Sequence, residues 1–386
     1  MKIAMMVRGY IAAPGPADIV YAPIELAVKL SEGLQKLGHQ VDFYGPSGTH
    51  LEVPVHTRGI RALVHDSKEF DKLLSSIDLL SHYIPGLWDQ YLSSEMFQLA
   101  AKGKYDLLHF HHPEAAMPYA RLFPKIPIVY TLHDPITDWW QELFQMYHTQ
   151  NQFYVSISNN QRKPAPQLPY IGTIYNGVDL DEFTFTKKHQ DYLLFVGRIV
   201  PEKGAHKAIE LAKKTQHKLI IIGPTYPDQL YYFESKIKPH LNDQIKYLGF
   251  MDHQQLVKYF QGAKAFLMPI SWEEPFGLTM IEAMACGTPV IATRKGSVPE
   301  IVAHGKTGFI VDSIKEMIES IAKIDKIDRQ QCRNHVLENF SIQTMVQNYI
   351  DAYKNVIKIT NRDNFPSSRL LMRYRRFGNP ITRSWL

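Results

Sequence analysis

Two glutamates eight residues apart, Glu274 and Glu282, bracket the stretch of this chain in which chemistry is most legible, SWEEPFGLTMIEAMACGTPVIAT from Ser271 to Thr293. On a helical rise of ~1.5 Å per residue, carboxylates at that spacing lie roughly 12 Å apart. That is too wide for an acid/base pair working across one glycosidic bond, which needs ~5 to 9.5 Å. The span suits two acids that bind the ends of one ligand, a sugar's hydroxyls at one and a ribose at the other, with a diphosphate between. The alternative is that both are ordinary solvated charges.

The elements that position them follow from the local pattern. Ala265–Ile270 (AFLMPI) is a continuous apolar run, as expected of a strand buried on both faces. Pro275 and Gly277 mark a turn, and from Phe276 to Ala285 apolar residues recur at helical spacing. Gly287 and Pro289 stop that helix, and Pro289–Thr293 reads as the next strand. A strand-turn-helix unit presents the free N–H groups and positive dipole end of its helix at the strand's carboxyl end. An anion is therefore expected near Phe276, Gly277 and Leu278. Farther up the chain, Arg198 and Lys203 place two cations on the loop after another strand-like run, Tyr192–Val196. Fixed cations of this kind can meet the charge that develops on a leaving diphosphate.

The segment EPFGLTMIEAMACGTPVIAT resembles the donor-site signature of the retaining glycosyltransferases of family 4, enzymes of the two-domain GT-B fold. The resemblance implies an enzyme that moves a hexose-type sugar from a UDP- or GDP-linked donor to an acceptor hydroxyl, with retention. It implies no metal and no cofactor beyond the nucleotide sugar. It also implies roles: Glu282 at the ribose, Glu274 at the donor sugar's hydroxyls, Arg198 and Lys203 at the diphosphate. His133, delivered by the strand Ile126–Leu132, matches the family's strand-end histidine near the reacting carbon. Glu300, in Gly296-Ser297-Val298-Pro299-Glu300, either shapes the donor pocket or caps its own helix. The acceptor would be a glycan or a lipid-linked glycan. One departure is visible: Tyr21-Ala22-Pro23 stands where the family commonly has a diglycine before the glutamate of the first helix, here Glu25. The rival readings are a nucleotide-sugar epimerase of the same fold and a non-catalytic sugar-nucleotide-binding subunit.

The rest of the chain fits an α/β protein with two Rossmann-like domains facing across a cleft. At 386 residues it exceeds what one core usually organises, and strand-like runs alternate with amphipathic helical ones. The expected divisions are an acceptor-side domain over 1–185, a nucleotide-sugar domain over 186–340, a returning helix over 341–358 and a basic tail over 359–386. No G-x-G-x-x-G follows the first strand, which weakens a dinucleotide oxidoreductase reading. His109, His111 and His112 end the strand Tyr105–His109, either as local packing or as a metal cluster. Asp179-Leu180-Asp181 spells D-x-D but lies within a turn that the family shares.

Cys286 and Cys332 have no metal-ligand spacing and fit a reducing, cytoplasmic setting. The apolar stretch of MKIAMMV is too short for a signal peptide, and no run of 18 apolar residues suggests a membrane span. The net charge of +5 resides in the tail, where six Arg face one Asp, against 37 basic and 37 acidic residues before it. A neutral body argues against a nucleic-acid partner. If helical, Arg369–Phe377 is a short basic amphipathic segment. It would either rest on an anionic membrane face, pack back on the body, or stay disordered.

Overall fold

The computed structural model describes residues 1–361, apart from 20 and 76–78. The expected amphipathic segment Arg369–Phe377 lies outside the described residues.

Among the described residues thirteen strands form two sheets, and every pairing between them is parallel. The first contains β1 (Lys2–Met6), β2 (Gln40–Tyr44), β3 (Val55–His56), β4 (Leu107–Phe110), β5 (Ile128–Leu132), β6 (Gln152–Ser156) and β7 (Tyr170–Thr173), in the order β3-β2-β1-β4-β5-β6-β7. The second contains β8 (Tyr192–Val196), β9 (Lys218–Ile222), β10 (Ile245–Tyr247), β11 (Ala265–Met268), β12 (Val290–Thr293) and β13 (Gly308–Val311), in the order β10-β9-β8-β11-β12-β13. The strand order reverses between β1 and β4 in one sheet and between β8 and β11 in the other. Open parallel sheets bind ligands at such switch points, at the carboxyl ends of their strands. The expected α/β class with two Rossmann-like domains is what the chain adopts.

β4, β5 and β11 are buried along their whole length, which explains why they read as unbroken apolar runs rather than alternating ones. Several element ends differ from the sequence expectation: β4 runs over Leu107–Phe110 rather than Tyr105–His109, and β5 begins at Ile128 rather than Ile126. The helix after β11 begins at Leu278 rather than Phe276, because Gly277 stands before it with φ +83°. β11 stops at Met268 rather than running to Ile270.

The last described helix, Ile342–Thr360, opens on Ser341, whose hydroxyl accepts the Thr344 N–H at 3.1 Å. It lays Met345, Val346, Tyr349, Ile350, Tyr353 and Val356 into the core of the first domain, against the helix Ala22–Lys36. The two chain crossings run side by side: Val178 N–H bonds Phe340 O at 2.8 Å, and Ile342 N–H bonds Val178 O at 3.3 Å. Leu278, the first residue of the helix after β11, packs against the cores of both domains. The start of that helix therefore lies on the seam between them.

Candidate active site

The second domain builds its half of the site from the loops after β8 and β11, the switch-point pair. The first loop runs through a short turn, Pro201–Lys203, and is tied to the second by Ser271 N–H donating to Glu202 O at 2.8 Å. Across this junction the Lys203 ammonium pairs with the Glu274 carboxylate. The Trp272 indole N–H donates to the same carboxylate oxygen at 3.1 Å, and its ring centroid lies 4.8 Å from Lys203 Nζ. The Lys203 and Glu274 side chains are 17% and 9% exposed, so neither is a solvated surface charge.

The segment Gly296-Ser297 holds this loop from behind. Gly296 has φ +56°, and a Cβ there would fall 2.2 Å from Glu274 O and 2.3 Å from Glu274 N, so only glycine fits. Its N–H donates to the Glu273 carboxylate at 2.7 Å, Ser297 N–H donates to Glu274 O at 2.9 Å, and the Ser297 hydroxyl donates to Phe276 O at 2.6 Å.

Glu282 lies one turn into the helix Leu278–Ala285 and is buried. Burial pushes its carboxyl up to about 7, against the pull of His253. Glu25 and Glu182 reinforce the rise, and the His253 imidazole lies 3.6 Å from the Glu25 carboxylate, contributed by the first domain. Arg198 is exposed on the loop after β8, near enough to Tyr226 to oppose the rise that burial gives its phenol.

In the first domain, His133 follows β5 and stacks on His111, with centroids 5.1 Å apart and planes 14° from parallel. His111 Nδ1 and His133 Nε2 share a hydrogen bond of 2.8 Å. Burial holds both imidazoles well below their ordinary values, so both are neutral near pH 7. His109 is pushed down to about 3 by burial, and its ring nitrogens are taken by the Thr131 and Tyr353 hydroxyls at 2.8 and 2.7 Å. His112 Nε2 meets the Tyr21 hydroxyl at 2.5 Å, in a stack 5° from parallel. The three histidines at the end of β4 are thus bonded separately, each to its own neighbour. No group of three or more His, Cys, Asp or Glu among the described residues is placed to hold a metal ion.

Tyr21 fills the place of the family's diglycine with a phenol that also receives Arg8 Nε at 3.4 Å. Arg8 pairs with Asp89 at 3.0 Å and Glu114 at 2.7 Å, so the floor beneath the first loop is a charged network. Asp179 of the D-x-D takes Lys29 at 2.7 Å. Glu300 does not cap its own helix; its carboxylate reaches Asn159, Asn160 and Tyr175 of the first domain.

The structure thus brings Lys203, Glu274, Phe276, Gly277 and Leu278 together on one loop system. Glu282 lies deeper in the same helix, Arg198 is on the loop after β8 near Tyr226, His133 follows β5 in the first domain, and Glu300 reaches across to the first domain. Trp272, Glu273 and His253 belong to the site as well. Trp272 and Glu273 lay in the SWEE stretch beside Glu274, whereas nothing in the sequence around His253 pointed to it.

Comparison with known proteins identifies the family. Residues 26–182 match the family described as Glycosyltransferase Family 4, and residues 179–340 match Glycosyl transferases group 1. The chain is 24% identical over 312 residues to N-acetyl-alpha-D-glucosaminyl L-malate synthase of Bacillus anthracis, covering 70% of this chain and 80% of that one. In fold it is similar to sucrose-phosphate synthase from Thermosynechococcus elongatus, at TM-score 0.71 and 17% identity over 93% of this chain and 100% of that one. It is similar too to Anabaena HepE, solved in complex with UDP and glucose, at TM-score 0.67 and 17% identity over 92% and 100%. With one family model matched in each half, the chain belongs to glycosyltransferase family 4, and its two parallel sheets are those of the GT-B fold.

Proposed function

We propose that this glycosyltransferase takes a hexose-type sugar from a UDP- or GDP-linked donor and joins it to an acceptor hydroxyl with retention of configuration. The observation that carries this reading is the Lys203–Glu274 pair beside the start of the helix Leu278–Ala285. Before a donor arrives, each partner satisfies the other, so no buried charge is left alone. When a nucleotide sugar enters, its diphosphate takes Lys203, Arg198 and the N–H groups at Phe276, Gly277 and Leu278. Its sugar hydroxyls take Glu274, and its ribose takes Glu282.

Retention then follows from attack on the face that the diphosphate leaves. The bond from the anomeric carbon to the phosphate oxygen breaks, the acceptor oxygen bonds that carbon, and the acceptor's proton passes to the departing phosphate. His133, held neutral, borders the anomeric carbon as a hydrogen-bonding group. In this proposal cations and helix N–H groups meet the developing charge without a metal. The neighbour solved with UDP and glucose supports the donor class. No helix among the described residues is long and apolar enough to cross a membrane. We take the acceptor to be a glycan or lipid-linked glycan at the cytoplasmic face, with residues 369–377 touching anionic lipid.

Screening UDP-, GDP- and ADP-hexoses for protection against thermal unfolding identifies the donor. The anomeric proton signal of the transfer product then reads the stereochemistry, and an inverted product rejects the mechanism. An altered nucleotide sugar formed without acceptor points to an epimerase, and binding without any turnover points to a binding subunit.

A further inference from the structure

Glu300 belongs to the short helix Val298–Ile301 of the second domain, yet its carboxylate is bonded to the first. Oε2 accepts from the Asn159 N–H at 2.7 Å, the Asn159 side-chain amide at 3.0 Å and the Tyr175 hydroxyl at 3.1 Å. Oε1 accepts from the Asn160 N–H at 2.7 Å. A carboxylate offers about four lone-pair sites, two on each oxygen; here three donors converge on Oε2 and one occupies Oε1. Most of the acceptor capacity of Glu300 is thus spent on the first domain.

What the two ends of this contact are tied to gives it meaning. On the second-domain side, the residues just before Glu300 grip the donor loop through Gly296 to Glu273, Ser297 N–H to Glu274 O, and the Ser297 hydroxyl to Phe276 O. On the first-domain side, Asn160 is followed by Gln161. The Gln161 amide donates to Leu132 O at 2.8 Å and Asp134 O at 3.0 Å, the carbonyls on either side of His133. Glu273 adds a second strut, accepting from the Asn160 amide at 3.3 Å. A continuous set of hydrogen bonds therefore runs from the loop bearing Glu274 to the strand end bearing His133.

We propose that Glu300 is a positioning residue: an interdomain clasp that sets the register of the donor loop against His133. This rests on the reading that the donor sugar is held at Glu274 and reacts beside His133. Every donor-binding group assigned above lies in the second domain, so loss of the clasp leaves the nucleotide grip intact and misplaces only the reaction partners. Misplacement of about 1 Å is enough to slow a reaction on the order of a hundredfold.

The test uses the full chain with Glu300→Ala and Glu300→Gln, the latter placing an amide N–H₂ against N–H donors. The expected result is a kcat lowered on the order of a hundredfold with the affinity for UDP and GDP, measured by calorimetry, unchanged. Tyr175→Phe, which removes one of the four bonds, gives the same split at smaller size and serves if Glu300→Ala does not fold. Wild-type turnover in these variants overturns the clasp. So does nucleotide affinity that falls in step with kcat, which would place Glu300 in the donor pocket instead. Amide hydrogen exchange reads the clasp without any turnover, so it stands or falls even if the donor is not a nucleotide sugar. The Asn159 and Asn160 N–H groups, which donate to Glu300, should exchange faster in Glu300→Ala than in wild type, and unchanged exchange overturns the proposal.

Discussion

Lys203 and Glu274 meet across the gap between the loops that follow β8 and β11, and Trp272 covers them from the side. The pair couples fold stability to turnover, and the two can be separated by a double substitution. Lys203→Ala leaves a carboxylate that is 9% exposed with, among the described residues, only the Trp272 indole N–H as a side-chain partner. That should cost about 1 to 3 kcal/mol of stability and lower turnover on the order of 100- to 1000-fold. Lys203→Ala/Glu274→Ala removes both charges, so its unfolding temperature should recover toward wild type while turnover stays low. If turnover recovered along with stability, the pair would be structural only.

Glu282 makes a pH-dependent prediction of definite sign. Its folded-state carboxyl sits near 7, raised by burial above the ordinary range. Between about pH 4.5 and about pH 7 the folded chain thus holds a proton that the unfolded chain has lost, and stability must fall as pH rises through that window. His253 is raised by its carboxylate neighbours despite its burial, and its contribution declines in the same direction. Glu282→Gln removes the carboxyl's share of this slope. Relative to wild type, the variant should gain thermal stability above about pH 7 and little at about pH 5. Nucleotide binding should weaken, because a ribose hydroxyl loses its carboxylate acceptor. A difference in melting temperature that does not change with pH would refute the assignment.

How far the sequence could go follows from the distances along the chain that each contact spans. The unit from β11 to β12 was legible because its strand, turn, helix and stop are all local signals, and Glu274 and Glu282 sit within it. Their pairing environment was not legible. Lys203 and Glu274 lie 71 positions apart, and Glu300 and Asn159 lie 141 apart. The His111–His133 stack likewise joins the residues that directly follow two strands, β4 and β5, whose adjacency depends on sheet order. The histidine cluster left two readings open because neighbours in sequence turn to different partners: His109 to Thr131 and Tyr353, His111 to His133, His112 to Tyr21. Tyr21 was visible as a departure from the family, but its bonds to His112 and Arg8 depend on side chains from the loops after β4 and β1 that only the fold brings near.

Gly296 offers a test of the loop rather than of its charges. Gly296→Ala drives a Cβ into the backbone of Glu274, which is fixed on both sides and cannot yield as a flexible side chain would. Turnover should collapse while both cores persist. Gly305→Ala is the control: it shares a positive φ of +76° but has no atom within 4 Å of its new Cβ. Its cost should be about 1 kcal/mol of backbone strain, with turnover unchanged. Circular dichroism melts and transfer rates for the two variants decide the matter, and equal losses in both would show that φ alone, not the approach to Glu274, fixes Gly296.

His133 is neutral because burial and the neighbouring His112 and His109 oppose its protonation, and His111 is held down in the same way. Unfolded histidines titrate near pH 6.5, so the unfolded chain gains protons that these rings refuse in the fold. The stability due to each is present above about pH 6.5 and is lost as pH falls toward its depressed folded value. His111→Phe keeps a ring stacked on His133 but removes the Nδ1–Nε2 hydrogen bond that fixes which His133 nitrogen carries the proton. Its stability should depend on pH less steeply than wild type below about pH 6.5, by the equivalent of one proton. Its turnover at neutral pH should fall by roughly ten- to a hundredfold through loss of the correct tautomer and orientation. Melting temperatures from about pH 4 to about pH 8, paired with transfer rates, separate the two effects. An unchanged slope would mean that His111 takes up its proton inside the fold, and an unchanged rate would mean that His133 needs no partner to hold its tautomer.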